Sequence, residues 1–310
     1  IAMAKEAPED PFAGLSDETE LSDARGADGL ELHDPTPEPD PAALQEDAMR
    51  AEAAAMALDG ISQVQSASGG YSAREIHISA TNGFTGGYQR TDRATSCVAI
   101  AGTGAEMERD YDGDSRIFQC DLRSADDIGT LAAKRALERV GASKPPSGSY
   151  PVLFDERISS TLVGHLLAAV NGASIARGSS WLRDALGEQV LPAHLNLFED
   201  PHRTRIPGSR LFDAEGLATQ KRAIVENGTL TGWTLDQANA GKLNMVSTAN
   251  AARGTSAPPT PSNWNVELTQ GDKTKDALIR DMGTGLLVTS MIGSTINATT
   301  GDYSRGAAGF

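Results

Sequence analysis

Hydrophobic and polar positions follow two rhythms along this chain, and the points of change mark its elements. PAALQEDAMRAEAAAMALDG (residues 41–60) repeats with helical spacing. Pro41 suits a first helical turn and Gly60 closes the segment. From 61 to 121 the period drops to two. ISQVQSASGG, AREIHISATNG, FTGGYQRTDR, ATSCVAIAGTG and EMERDYDGDSRIFQC each alternate apolar and polar residues between turn signals. This series predicts an antiparallel meander with one wet face, with His77 turned to solvent. SADDIGTLAAKRALERVGA returns to helical spacing, with Ser124 as N-cap and Gly141 as terminator. SKPPSGSY then interrupts both rhythms and marks a candidate boundary, after which PVLFD reads as a strand.

The second half mixes short elements. Over 159–170, Leu162, Val163, Leu166, Leu167 and Val170, with Ile158 just before, form a broad apolar stripe. At 100° per residue, His165 falls at the edge of that stripe. TQKRAIVENGTLTGWTLD predicts a hairpin, with Asn227-Gly228 supplying the positive φ angles of a tight turn. NAARGTSAPPTPSNW reads as a long polar loop, and TKDALIRDMGTGLLVTSMIG as a helix running into a strand. The expected fold class is α+β. An N-terminal antiparallel sheet flanked by helices spans 1–143 and includes an acidic, proline-rich loop at 16–40. A mixed domain rich in antiparallel strands spans 150–310. The opening IAMAKEAPEDPFAGL reads as the tail of a helix, and the sequence is expected to continue beyond both ends.

Charge adds one point. The net charge is -15, but residues 1–60 hold 16 Asp/Glu against 3 Lys/Arg. The acidity therefore belongs to one segment, and no basic face is left for nucleic acid. No window approaches the roughly 18 uncharged apolar residues of a membrane span. Cys97 and Cys120 are the only cysteines, without a CxxC. Two buried, reduced thiols in a cytoplasmic protein are expected.

Several motifs fail. In DYDGDSRIFQCD, Asp110, Asp112 and Asp114 alternate as in a calcium loop, but the glycine stands fourth and Asp121 stands twelfth. Asp112-Gly113 is read instead as a hairpin turn. GTGAEM and GTGLLV lack a third glycine. Asp213 and Glu215 in RLFDAEG could divide acid and base roles, but two carboxylates just before a strand are read first as turn chemistry.

His165 raises the question of a metal. A catalytic zinc takes three protein ligands and an open position. Near His165 stand only hydroxyls, Ser160 and Thr161. As a nucleophile, Ser160 would need a base within hydrogen-bond reach, yet five residues separate it from His165, about 140° on a regular helix.

Long phrases then carry a resemblance. SSTLVGHLLAAVNGASIARGSSWLRDALGEQV, EDPHRTRIPGSRLFDAEG, AIVENGTLTGW, TGDYSRGAAGF and AKEAPEDPFAGL resemble the TldD/PmbA peptidase family, in its PmbA branch, also called TldE. In the TldD branch the equivalent helix carries HExxxH, and a cysteine in a late glycine-rich loop completes a zinc site. Here His165 keeps the second histidine. Ser160 stands for the first, Thr161 for the glutamate and Thr300 for the cysteine.

The resemblance therefore implies no metal and no catalytic residue in this chain, with zinc in a TldD-type partner. It implies a heterodimer, or a homodimer, acting on small or unfolded peptides, and the family label of a modulator of DNA gyrase. Asp302, Tyr303, Ser304 and Arg305 are expected to contact peptide, the glycines allowing close backbone approach. An internal Asp302–Arg305 ion pair is the plainer alternative. Two rival functions remain: a metal-independent peptidase using Ser160 or Ser304, and a stand-alone peptide-binding protein. Neither nucleic acid nor membrane is an expected partner.

Overall fold

The computed structural model describes residue 6 and residues 9–293 and 296–310. The helix tail expected at the very start falls largely outside the described residues. The first regular helix is α1 (Pro41–Met56), with Pro41 in its first turn. Asp40 caps it, accepting from the Ala42 N–H at 2.8 Å. Three strands follow, β1 (Ile61–Ser79), β2 (Thr85–Ala101) and β3 (Glu108–Arg116), in the antiparallel order β1-β2-β3. Helix α2 (Ala125–Glu138) starts on Ser124, whose Oγ accepts from the Asp127 N–H at 3.1 Å.

Both helices lie on one face of this sheet. Thr91, Arg93, Thr95, Cys97, Ala99 and Ala101 of β2 are buried there at alternate positions, as a half-covered strand requires. Ala51, Ala55, Ile128, Ala132 and Ala136 complete the apolar layer. The layer is thin because its residues are small. A Cβ on Gly129 would stand 2.0 Å from the Ala51 carbonyl oxygen, so the two helices touch backbone to backbone.

The meander is as expected, but its strands are fewer and longer. Gly69-Gly70 lies inside β1, paired with Thr95 and Ala94. Its glycines do not turn the chain. A Cβ on Gly69 would meet the Leu44 carbonyl oxygen at 2.3 Å, so that position lets α1 sit on the sheet. Asp112-Gly113 is likewise no hairpin turn, since Gly113 pairs with Ser96 within β3. The alternating aspartates make β3 a strand with one acidic face, and that face meets arginines. Cys97 is buried as expected, but Cys120 is exposed on a short loop.

The second half holds β4 (Val152–Phe154), α3 (Glu156–Ala169), α4 (Gly172–Ala176), β5 (Leu197–Glu199), β6 (Arg222–Glu226) and β7 (Thr229–Leu230). It continues with α5 (Gln237–Lys242), β8 (Ala251–Ala252), β9 (Thr260–Pro261), β10 (Val266–Leu268), α6 (Lys275–Met282), β11 (Leu286–Ile292) and β12 (Gly306–Gly309). One sheet runs β10-β5-β6-β7 and another β12-β11-β4, while β8 and β9 pair inside the expected polar loop. The β6–β7 turn has Asn227 at φ 48° and Gly228 at φ 77°, as a tight hairpin needs. β4 pairs parallel to β11, and β12 antiparallel. Leu166, Val170, Leu197, Ile224, Val225, Leu230, Trp233 and Leu235 form the core. The architecture is α+β.

The acidic segment is an ordered strap. The Ser22 N–H donates to Gly216 O at 2.8 Å, and the Gly87 N–H to Arg25 O at 2.8 Å. The Thr91 N–H reaches Leu32 O at 3.1 Å, and the Arg205 N–H reaches Leu30 O at 2.9 Å. Leu30 and Leu32 bury against Ile117. Among the described residues no helix is long and apolar enough to cross a membrane.

Candidate functional site

Helix α3 is fixed at its start by charge. The Asp155 carboxylate caps it and receives Arg157 Nε at 2.9 Å and Lys275 Nζ at 2.6 Å. Burial alone would push this carboxyl up, but the hydrogen bonds from Lys275 and Arg157 overcome that and hold it at about 2. Arg157 also reaches Asp110 of β3 at 2.9 Å, which ties the helix to the N-terminal sheet. Along α3, Leu166 and Ala169 face the core, Ser160 faces outward, and Thr161 and His165 are half-buried.

The helix meets the late loop at an aromatic contact. The His165 and Tyr303 rings stand edge to face, 5.4 Å between centroids and 62° between planes. His165 Nε2 is buried and has no hydrogen-bond partner among the described residues. Tyr303 Oη donates to Met291 Sδ at 3.1 Å.

The loop itself is folded around Asn297. Its Oδ1 accepts from the N–H groups of Thr299 at 2.9 Å and Thr300 at 3.2 Å, and its carbonyl accepts from the Gly301 N–H at 2.9 Å. Gly301 has φ 78°, and a Cβ there would press on the Trp181 side chain at 3.2 Å. Thr300 Oγ1 donates to Asp302 Oδ2 at 2.7 Å.

The structure thus joins His165 to Tyr303 and Thr300 to Asp302. It brings neither Ser160 nor Thr161 into hydrogen bonding with His165. Ser304 is exposed. Asp302 and Arg305 make no ion pair among the described residues. Arg305 Nη2 donates instead to Met291 O at 3.3 Å, and its Nε is buried without a hydrogen-bond partner among the described residues. No group of three or more His, Cys, Asp or Glu side chains among the described residues is placed to hold a metal ion.

Two carboxylate groups lie elsewhere. Asp213 accepts the N–H groups of Glu215, Leu217 and Ala251 at 2.9, 3.0 and 2.9 Å, which is the expected turn chemistry. Burial nonetheless raises its carboxyl to about 6. Burial also raises Glu215, to about 7, against the N–H of Gln237 and with help from the charges of Asp213 and Asp236. The second group is the acidic face of β3, which sequence reading took for a turn. Its signal was present: three aspartates at alternate positions, followed by Arg135 and Arg139 one helical turn apart.

Comparison with known proteins adds the lineage. Family models described as the PmbA/TldA metallopeptidase central and C-terminal domains match residues 34–140 and 147–310. The chain belongs to the PmbA/TldD metallopeptidase family. It is 35% identical to Metalloprotease PmbA of Escherichia coli O157:H7 over all of its own length and 66% of that protein. It is 36% identical to a Metalloprotease PmbA homolog of Haemophilus influenzae, again over all of its own length and 66% of the relative. The chain thus spans just under two thirds of these relatives. A crystal structure of a proposed modulator of DNA gyrase from Bacteroides thetaiotaomicron superposes with a TM-score of 0.87 at 28% identity, covering 100% of this chain and 68% of that one.

Proposed function

We propose that this chain is a PmbA-type subunit of a PmbA/TldD-family peptidase assembly, one that contacts peptide and leaves the catalytic zinc to a TldD-type partner. The substrates are small or unfolded peptides, and Asp302, Tyr303, Ser304 and Arg305 face them from the late loop. The observation that supports this reading best is the donor set where α3 meets that loop. It holds one imidazole, whose ring meets Tyr303 and whose Nε2 is buried, while the family resemblance sets the hydroxyl residues Ser160, Thr161 and Thr300 at the remaining ligand and base positions. Zinc is held by thiolate, imidazole and carboxylate, and a neutral alcohol replaces none of these well. The residues present do not fit the ion. Thr300 is further committed to Asp302.

Elemental analysis of the purified protein tests this. Zinc well below one per chain is expected, and one zinc per chain would end the proposal. Cleavage of an unfolded peptide should appear only after a TldD-type subunit is added. Chelator-sensitive cleavage by this protein alone would equally overturn it.

A further inference from the structure

Away from that junction, the loop after β5 carries a guanidinium with no counter-ion among the described residues. Arg210 stacks on Trp264, its Cζ 3.4 Å from the ring centroid. Its one side-chain hydrogen bond among the described residues runs from Nε to Gly208 O at 3.4 Å, which leaves both Nη groups unused. No carboxylate of the described residues pairs with it. Glu199 is near, but it receives Arg222 Nε at 2.8 Å and Asn250 Nδ2 at 3.0 Å. Asp213 is near too, but its oxygens hold three backbone N–H groups.

A second guanidinium adds to the imbalance. Arg90 donates to Pro207 O and Ser209 O, with its Nε buried and unpartnered among the described residues, and its Cζ lies 5.0 Å from the Tyr88 ring centroid. Burial pushes Arg210 down to about 10, and the Arg90 charge pushes the same way. A cation desolvated in this manner gains when an anion arrives. One free fork of two N–H donors matches a carboxylate in bidentate geometry. The nearby charges of Glu199 and Asp213 favour a monoanion over a dianion such as phosphate.

We propose that the free edge of Arg210, backed by Trp264 and Arg90, binds a carboxylate of an extended peptide, either its chain end or an acidic side chain. This builds on the peptide-contacting role above and names the group on the peptide that is recognised.

Tryptophan emission reports on the site, because the ring of Trp264 carries the guanidinium. The full protein is titrated with tetra-alanine as the free acid, with tetra-alanine amide, and with an amidated tetrapeptide holding one glutamate. Saturable change is expected for the free acid, the glutamate peptide or both, and the tighter of the two identifies the source. The neutral amide should bind about tenfold more weakly or worse, since it offers no bidentate anion. Arg210→Gln should erase the difference, and Arg210→Lys, which keeps charge but not the fork, should shrink it. Arg205→Gln should leave it intact, because Arg205 is already paired with Glu31 and Asp121.

Equal binding of acid and amide by the unaltered protein, or no saturable change with any peptide, overturns the site without recourse to a variant. Such a failure in a zinc-free, partner-dependent protein would leave the subunit role standing. A zinc-loaded protein that still told acid from amide would do the reverse.

Discussion

Two sets of buried carboxylates divide this molecule. On β3, Asp110 is shared by Arg157 at 2.9 Å and Arg139 at 3.3 Å, and Asp112 by Arg123 at 2.7 Å and Arg135 at 2.8 Å. Asp114 takes Arg116 at 3.1 Å. Around the start of α5, Asp213 and Asp236 are just as enclosed and Glu215 is half-buried, but none has a salt-bridge partner among the described residues. Asp236 accepts from Asn239 N and Nδ2 through Oδ1, while its Oδ2 is buried with no hydrogen-bond partner among the described residues. The same side chains thus face opposite outcomes. Where cations arrive with the fold, the carboxylates are held in ion pairs. Where only N–H dipoles reach Asp213 and Glu215, burial wins and their carboxyls rise to about 6 and about 7.

Removing one member of the paired set should have the largest effect. Asp110→Ala takes the shared carboxylate from both Arg139 and Arg157, leaving them Glu108 and Asp155, and urea denaturation should show a loss of about 3 kcal/mol, the low end for a broken buried pair. A loss below about 1 kcal/mol would place Asp110 with ordinary surface pairs and erase the contrast.

In the unpaired set the sign reverses. Glu215 titrates near 7 in the folded chain, against an ordinary 4.5. Between those values the folded chain keeps a proton that the unfolded chain gives up. Its stabilising effect is therefore full below 4.5 and lost as pH rises through 7. Glu215→Gln should raise stability at pH 8 by about 1–3 kcal/mol and flatten the pH profile from 5 to 8. A variant less stable than the parent at pH 8 would contradict this.

Asp155 supplies the smallest and sharpest test, since it is buried like Asp213 yet paired like Asp110. Its value of about 2 lies below the ordinary 3.8, so its contribution is present above 3.8 and lost as pH falls through 2. Asp155→Asn should remove that acid limb, worth about 1 kcal/mol after solvent screening. Acid denaturation curves that coincide for the two proteins would mean that Lys275 and Arg157 do not set its charge.

Elements with local causes were legible in the sequence. Asp40-Pro41 and Ser124 start their helices by bonds within a few residues, and Asn227-Gly228 bends its hairpin by its own φ angles. Glycines misled wherever their reason lay across space. Gly69 makes room for Leu44, and Gly113 is an ordinary strand position, yet both look like turns in one dimension. The candidate site divided the same way. Periodicity placed His165 at the edge of its stripe, and the family resemblance picked out Thr300 and its neighbours. That Tyr303 would close on His165, and Trp264 on Arg210, depends on contacts between distant parts of the chain that no local pattern encodes.

The strap over residues 16–34 has a consequence for how the protein comes apart. Its backbone is bonded to β2 on one side and to the turn at Gly216 on the other, so neither half can complete its surface without it. Melting is expected to be a joint, cooperative event rather than two separate ones. A protease nick within the strap should lower and broaden the heat-absorption peak without splitting it, since Arg157–Asp110 and the bonds of Arg90 to Pro207 O and Ser209 O still join the halves.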